Sequence, residues 1–347
     1  KQDKRTIEGG EFNIKKEISQ AIYQRDNHQS NPNLIYLSNG ASSAIRLILN
    51  YIISSPNTGV MIPIPQYPLY SALITLLNGK EVPYYLHEEQ NWDPNIKDIE
   101  NSYNQAIKSG VTPKAIVLIN PGNPTGNVLD RSVMEEILTF AHTKNLVVLS
   151  DEVYQENIYG DRKWYSCKKI LAELPSKISK ELELISFHSL SKGLLGECGI
   201  RGGYMEIENL NSNFVKGMNE FYSNIAPNMM SQLLINLKAK YLNGQLKNQL
   251  SENTFNIIDN EMKSTHQSLK FKANLTSSKL NDALNIKCNP INGAMYAFPS
   301  ITLPKKLIEQ ANKENQKPDV YYCKMVLEKS GICLVPGSGF GQKEGTY

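Results

Sequence analysis

The chain lacks the features that would commit it to a membrane or to export. No apolar run in its 347 residues approaches the roughly 20 residues of a bilayer-spanning helix. No charged-then-apolar pattern of a signal peptide opens it. Cysteine is scarce: Cys167, Cys198, Cys288, Cys323 and Cys333 are five, scattered and without CxxC spacing. They offer neither a disulfide framework nor a zinc site, so a reducing compartment and no metal are expected; the cytoplasm is the expected location, with the mitochondrion as the alternative. Charge of one sign is missing too. Lys plus Arg number 37 against 34 Asp plus Glu, a net charge of +3, which argues against a nucleic acid or an acidic membrane surface as partner. There is no internal repeat, no long low-complexity tract and no basic helix-turn-helix. No GxGxxG follows the first strand, which sets a Rossmann dehydrogenase aside.

What is present is ordinary globular composition, 40% apolar and 20% charged, in a length that suits one large domain plus a smaller one. Short apolar runs alternate with helical patterns. Strands are expected at 33–38, 59–65, 81–86, 115–120 and 146–151, then in "LELISF" and "GGYMEI". Helices are expected at 42–52, 70–78, 95–107 and 132–143. Strands of this kind, several nearly all apolar, indicate an α/β fold with a mostly parallel central sheet flanked by helices. After residue 210 the character changes to long polar-rich helices, the second at about 252–285, then "GAMYAFP", a helix near 320–330 and "ICLVPGSGF". That part reads as a smaller α+β domain. The expected division is 36–245 for the large domain, with 1–35 and 246–347 in the small one.

In parallel sheets ligands bind at the carboxyl ends of the strands, so the strand exits carry the candidates. The first exit, "SNGASSAI", places Ala41, Ser42 and Ser43 at a helix start, which serves an anion or is a plain helix cap. The second, "PIPQYPLY", presents Tyr67 stiffly between prolines, to stack on a flat ring or simply to pack. The third, "INPGNPTGNVL", holds Asn123 between glycine and proline, its amide free to donate to an oxygen. The fourth, "LSDEVYQENIY", ends a buried strand on Asp151, a carboxylate that needs a partner or caps the next segment. Tyr154 follows three residues on. The fifth, "ISFHSLSKGLLGECGIRGGYMEI", sets Lys192 among Ser189, Ser191 and Gly193, with Arg201 before two glycines, where a guanidinium suits phosphate. Together these offer a phosphate seat, a stacking ring, two groups for a ring hydroxyl, a buried carboxylate and a lysine. The phosphate-bearing ring that uses all of them is pyridoxal 5′-phosphate.

The stretches "NPGNPTG", "DEVYQENIY", "SFHSLSKGLLGECGIRGGY", "NPINGAMYAFP" and "GICLVPGSGFGQKEGTY" closely resemble the alanine aminotransferases, of the class I/II branch of fold-type-I pyridoxal-phosphate enzymes. The resemblance runs from about Ile35 onward. "NPTG" and "SxSK" mark the superfamily, whereas "MIPIPQYPLYSA" and "KGLLGECGIRGGY" are similar to the alanine group and the related glutamate:glyoxylate enzymes. It implies that Lys192 forms the Schiff base with the cofactor and moves the substrate proton. It implies that Asp151 pairs with the pyridine nitrogen and that Asn123 and Tyr154 bond the phenolic oxygen. Tyr67 and Val153 would flank the ring. Ala41, Ser42, Ser189 and Arg201 would hold the phosphate, with Ser43 and Ser191 as weaker candidates. The implied reaction is ping-pong exchange between L-alanine and 2-oxoglutarate, giving pyruvate and L-glutamate, in a homodimer. A glutamate:glyoxylate-type exchange or a β-lyase on the same scaffold are the alternatives; a non-enzymatic binding module would be expected to lack the lysine. The resemblance also implies a carboxylate-binding arginine beyond Tyr347 and a partner-lent tyrosine upstream of Lys1, so the chain is expected to be part of a longer protein. His28, His87, His142 and His266 and the cysteines are assigned no role, and His188 is read as packing beside the site. Gly337, Gly339 and Gly341 are read as a backbone turn near the substrate.

Overall fold

The computed structural model describes residues 10–225 and 227–347. The strands are β1 (Ile35–Ser38), β2 (Thr58–Ile64), β3 (Lys80–His87), β4 (Asp93–Pro94), β5 (Thr112–Ile119), β6 (Val147–Asp151), β7 (Leu184–Ser189) and β8 (Gly203–Glu208), which form one sheet in the order β1-β8-β7-β6-β5-β2-β3-β4. Strands β3, β2, β5, β6 and β7 run parallel; β8 is antiparallel to both β7 and β1, and β4 to β3. The parallel core needs cover on both faces, and its sequences supply it with apolar residues on both sides. On β5, Ala115, Val117 and Ile119 point to one side and Ile116 and Leu118 to the other, each into its own cluster.

The helices supplying that cover follow from the same alternation. Among them are α1 (Phe12–Asp26), α2 (Ala41–Ile52), α3 (Leu69–Leu76), α4 (Ile96–Lys108), α5 (Arg131–Thr143), α6 (Cys167–Glu173), α7 (Ser176–Glu181), α8 (Ser212–Asn224) and α9 (Met229–Leu242). Helices α2, α3 and α8 pack on one face with Ile45, Ile48, Leu73 and Met218, while α4 to α7 cover the other with Ile99, Ile137, Leu138 and Ile170. Helices α1 and α9 share a third cluster through Ile14, Ile18, Ile235 and Ala239. Starts are capped where the sequence suggests: Asn95, Asp130 and Ser166 each accept an N–H of the first turn.

Beyond α9 come α10 (Gln245–Gln249), the 30-residue α11 (Glu252–Asn281), α12 (Lys305–Lys313) and α13 (Pro318–Ser330), with a two-stranded pair of β9 (Ile286–Lys287) and β10 (Ser300–Ile301). The run 293–299 is held not in a strand but by a single bridge, Gly293 to Ile158, and by the Ala294 N–H to the Asn157 carbonyl. Ile332 to Val335 forms no strand either, because no neighbour among the described residues offers it a ladder, and Val335 stays 67% exposed. The segment 1–9, expected at the start of the smaller domain, lies outside the described residues.

Candidate functional site

The five strand exits converge because the register leaves their carboxyl ends level. Ile119 lies opposite Asp151 and Asp151 opposite Phe187, while Gly203 pairs with both Ser189 and Ser38. Only glycine serves at 203: a Cβ there would stand 2.6 Å from the His188 carbonyl oxygen and 2.9 Å from the Ala41 nitrogen. The β1–α2 turn therefore comes down directly onto the end of β8. One cavity of about 160 Å³ results, and Ala41, Ser42, Tyr67, Asn123, Asp151, Val153, Tyr154, Ser189, Ser191, Lys192 and Arg201 all line it. Of the candidates, only Ser43 is left out; its hydroxyl turns back to the Asn39 carbonyl.

Each wall has a distinct chemistry. Helix α2 opens on Gly40, which supplies no side-chain cap, so its first turn keeps N–H groups for an anion. Beside it Arg201 sits at φ 58°, with its guanidinium anchored by the Cys198 carbonyl at 3.0 Å and Ser191 Oγ at 3.3 Å. Ser189 Oγ accepts the Ser191 N–H at 3.1 Å. At the end of β6, Asp151 is 6% exposed and accepts the Tyr70 hydroxyl at 3.0 Å, with a long contact of 3.4 Å from the Val153 N–H. Burial pushes the Asp151 carboxyl up to about 6, opposed by the Tyr70 hydrogen bond, the Val153 N–H and the charge of Lys192. Its ionised form is thus the one a cation in the cavity would stabilise.

Lys192 Nζ donates to Tyr296 Oη at 3.4 Å and lies 5.5 Å from the centre of the Tyr154 ring. Tyr154 and Tyr296 share a hydrogen bond of 2.7 Å, and Asn123 Nδ2 reaches Tyr154 Oη at 3.5 Å. Burial and the Tyr296 bond both push the Tyr154 phenol above its ordinary value, so it is protonated. Tyr67 is 44% exposed at the mouth.

Several residues around the cavity were not singled out in the sequence. Tyr70 lies inside the quoted "YPLY" and Tyr296 inside "NPINGAMYAFP", but nothing local separates them from core tyrosines. Glu156 and Asn157, in the "DEVYQEN" run, grip the lysine loop. Glu156 accepts the Leu194 N–H at 3.3 Å and pairs with the buried Lys238 of α9, and the Asn157 amide donates to the Gly193 carbonyl at 3.3 Å. Gly193 has φ 70°, and a Cβ on it would meet Glu156 Oε2 at 2.3 Å. Cys198, assigned no role above, lines the cavity mouth. His188 lies buried, its Nδ1 2.9 Å from Gln155 Nε2, while Arg25 donates to Gln155 Oε1 at 2.6 Å. That fixes the amide so that Nδ1 accepts, and burial pushes the imidazole down to about 4.

The sequence matches the aminotransferase class I and II family over residues 9–346, and the chain belongs to that family. It is 44% identical over 337 residues to a probable mitochondrial alanine aminotransferase of Dictyostelium discoideum, covering 96% of this chain and 62% of that protein. It is 44% identical over 336 residues to glutamate–glyoxylate aminotransferase 1 of Arabidopsis thaliana, covering 96% of this chain and 69% of that one. Among solved structures, the alanine aminotransferase of Pyrococcus furiosus superposes with a TM-score of 0.79 at 25% identity, over 98% of this chain and 76% of that one. The chain thus spans 62% and 69% of the length of these two sequence relatives.

Pyridoxal 5′-phosphate is the cofactor of this family, and the residues present fit it. The cavity carries a buried carboxylate with a raised pKa for a ring cation, an uncapped helix start beside an arginine for a phosphate, and an amine for an aldehyde. The paired phenols and the Asn123 amide provide donors for a ring oxygen. Among the described residues no cluster of His, Cys, Asp or Glu could hold a metal ion, and no helix is long and apolar enough to cross a membrane.

Proposed function

We propose that the protein is a pyridoxal-phosphate aminotransferase that exchanges L-alanine and 2-oxoglutarate for pyruvate and L-glutamate by a ping-pong sequence. The observation that carries this is the meeting of Lys192, Asp151, Asn123 and Tyr154 on one cavity, in a chain 44% identical to an alanine aminotransferase relative. Ala41, Ser42, Ser189 and Arg201 hold the phosphate. Tyr67 and Val153 flank the ring, Asn123 and Tyr154 donate to its oxygen, and Asp151 stays ionised against its nitrogen. The bound cofactor supplies an electron sink for the carbanion formed at the substrate α-carbon. Lys192 would hold the cofactor through its amine, and its Nζ, when free, would accept the proton leaving the α-carbon. With Asp151 buried and Tyr154 stacked edge-on to Tyr296, these groups work away from bulk water, where their electrostatic effect is larger.

The glutamate–glyoxylate relative of equal identity supports a second reading, with glyoxylate as the amino acceptor. The large domain is assigned to 36–245 and the small one to 1–35 and 246–347; Ala273, Cys288 and Ile291 of the latter cluster with Tyr159 of the former. A cytoplasmic homodimer is the proposed form. The five cysteines are free, which suits a reducing compartment. Met229, Met230, Leu233 and Leu237 leave an apolar face of α9 for a partner to cover.

The test uses full-length protein with Lys192→Ala as control. Visible absorption is recorded with pyridoxal 5′-phosphate, then with L-alanine alone, and pyruvate is assayed. A lysine-dependent band, converted by alanine with release of pyruvate, is expected. A band unchanged by alanine removes the alanine assignment, release of pyruvate and ammonia from a donor with a β-leaving group such as β-chloro-L-alanine, without amino transfer, favours the β-lyase, and no band at all overturns the site.

A further inference from the structure

The cavity's polar groups are joined through a residue outside it. Tyr296 follows a loop tied down at several points. The Asn292 and Gly293 N–H groups donate to the Gly126 carbonyl at 2.9 and 2.8 Å, the Ala294 N–H donates to the Asn157 carbonyl at 3.0 Å, and the Tyr159 N–H donates to the Asn292 carbonyl at 2.8 Å. Its ring is half-buried against the core and stands edge-on to Tyr154, centres 5.7 Å apart at 84°. Its hydroxyl reaches Lys192 Nζ on one side and Tyr154 Oη on the other.

Donor counting gives this chain a direction. Lys192 Nζ gives an N–H to Tyr296 Oη, as a neutral amine can while keeping its lone pair for the α-carbon proton, so Tyr296 Oη is the acceptor in this contact. The only proton of Tyr296 is then free for Tyr154 Oη, 2.7 Å away. Tyr154 accepts it, and accepts the Asn123 amide as well. Both acceptor positions of Tyr154 are thereby engaged, and its own proton is left to point into the cavity that it lines. A phenylalanine at 296 would preserve the packing and break the chain at its middle.

We propose that Tyr296 is a positioning residue for amino transfer: its hydroxyl holds the Lys192 amine whenever that amine is not bonded to the cofactor, and aims the Tyr154 proton at the ring oxygen. The proposal rests on the amino-transfer reading above. It acts through two other side chains, so it separates from that reading experimentally. Lys192 freed by substrate amine is chemically the lysine seen here, an amine without a covalent partner, and Tyr296 is where it rests before it takes the α-carbon proton.

The test is made on the full-length protein carrying Tyr296→Phe and, separately, Tyr296→Leu; either is sufficient if the other does not fold. The absorption of the bound cofactor is titrated with pH, and the single-turnover rate with L-alanine is measured against its concentration. Loss of one aimed hydrogen bond is expected to move the absorption midpoint upward by about half to one unit. The saturating rate is expected to fall about tenfold, with the half-saturating alanine concentration unchanged. In a Tyr154→Phe background the midpoint shift should vanish, because the proton that Tyr296 aims is gone. A tyrosine that only packs would lower thermal stability and leave the midpoint in place. Unchanged midpoint and rate in the variants, beside a normal wild type, overturn this inference alone. A wild type that binds no cofactor overturns the amino-transfer reading and this inference with it.

Discussion

Removing the Tyr70 hydroxyl tests the electrostatic design of the site without touching any group that lines it. Tyr70 is fully buried and its hydroxyl donates to Asp151 Oδ2 at 3.0 Å. Asp151 is already pushed up to about 6 by burial, and this hydrogen bond is the largest influence holding it down. A hydrogen bond to a charged group contributes about 1.5–3 kcal/mol. Its loss in Tyr70→Phe therefore raises the Asp151 pKa by roughly one to two units, to about 7–8. Near neutral pH much of the cofactor-free protein then carries a neutral acid, which cannot form an ion pair with a ring cation. The assay is the pH dependence of the dissociation constant for pyridoxal 5′-phosphate, followed by absorption or tyrosine fluorescence. In the wild type, affinity should weaken only as pH falls through about 6. In Tyr70→Phe the same weakening should begin one to two units higher, by about 1.4 kcal/mol per unit. Tyr84→Phe is the control: Tyr84 is also buried, but donates to the Val117 carbonyl at 2.6 Å, so it should cost stability without moving the midpoint. If Tyr70→Phe binds with the wild-type pH profile, Asp151 does not hold the cofactor by its charge and the argument from burial is wrong.

Other expectations follow from the groups behind the cavity. Gly193→Ala should destabilise by about 1–2 kcal/mol from the left-handed backbone alone, with more from the contact with Glu156, and should lower cofactor loading because the Lys192 loop must shift; urea midpoints and absorbance read the two effects. Glu156→Gln leaves Lys238, whose side chain is 4% exposed, without its counter-charge and should cost about 3–5 kcal/mol in denaturant unfolding; a loss under 1 kcal/mol would show that water reaches the pair. His188 is held neutral with its pKa depressed to about 4, so an unfolded chain takes up a proton that the folded one refuses as pH falls below the ordinary value of about 6.5. Its contribution to stability is complete above that value and is lost, by up to ~3 kcal/mol, as pH falls toward 4. His188→Gln should flatten this part of the curve relative to wild type, and parallel curves would refute the assignment.

The alternation of apolar strands with amphipathic helices was enough to place seven of the sheet's eight strands, all but the two-residue β4, and several of its helices within a few residues: 42–52 was expected for α2, observed at Ala41–Ile52, and 132–143 for α5, observed at Arg131–Thr143, while α6 and α7 were not expected. That signal is local, because burial on two faces forces near-continuous hydrophobic runs whatever the strand order. It weakens where pairing partners decide the outcome. "ICLV" has strand composition yet forms none, and β8 reads like its parallel neighbours although it runs antiparallel.

The residues at the strand exits were legible for the same reason: a lysine, an aspartate and an asparagine set in proline- and glycine-rich turns after buried strands are costly unless they share a task. Which of them meet, and through whom, was not. Tyr70 and Tyr296 look like any core tyrosine in the sequence, and Glu156 like any surface acid. Their roles arise from neighbours 81, 104 and 38 positions away, joined by hydrogen bonds that no local pattern encodes. The sequence by itself determined the elements and the chemical inventory, because burial and turn geometry act over a few residues. Only the tertiary structure decided the direction of the hydrogen-bond chain and the pKa of Asp151, because both depend on which distant groups are brought together away from water.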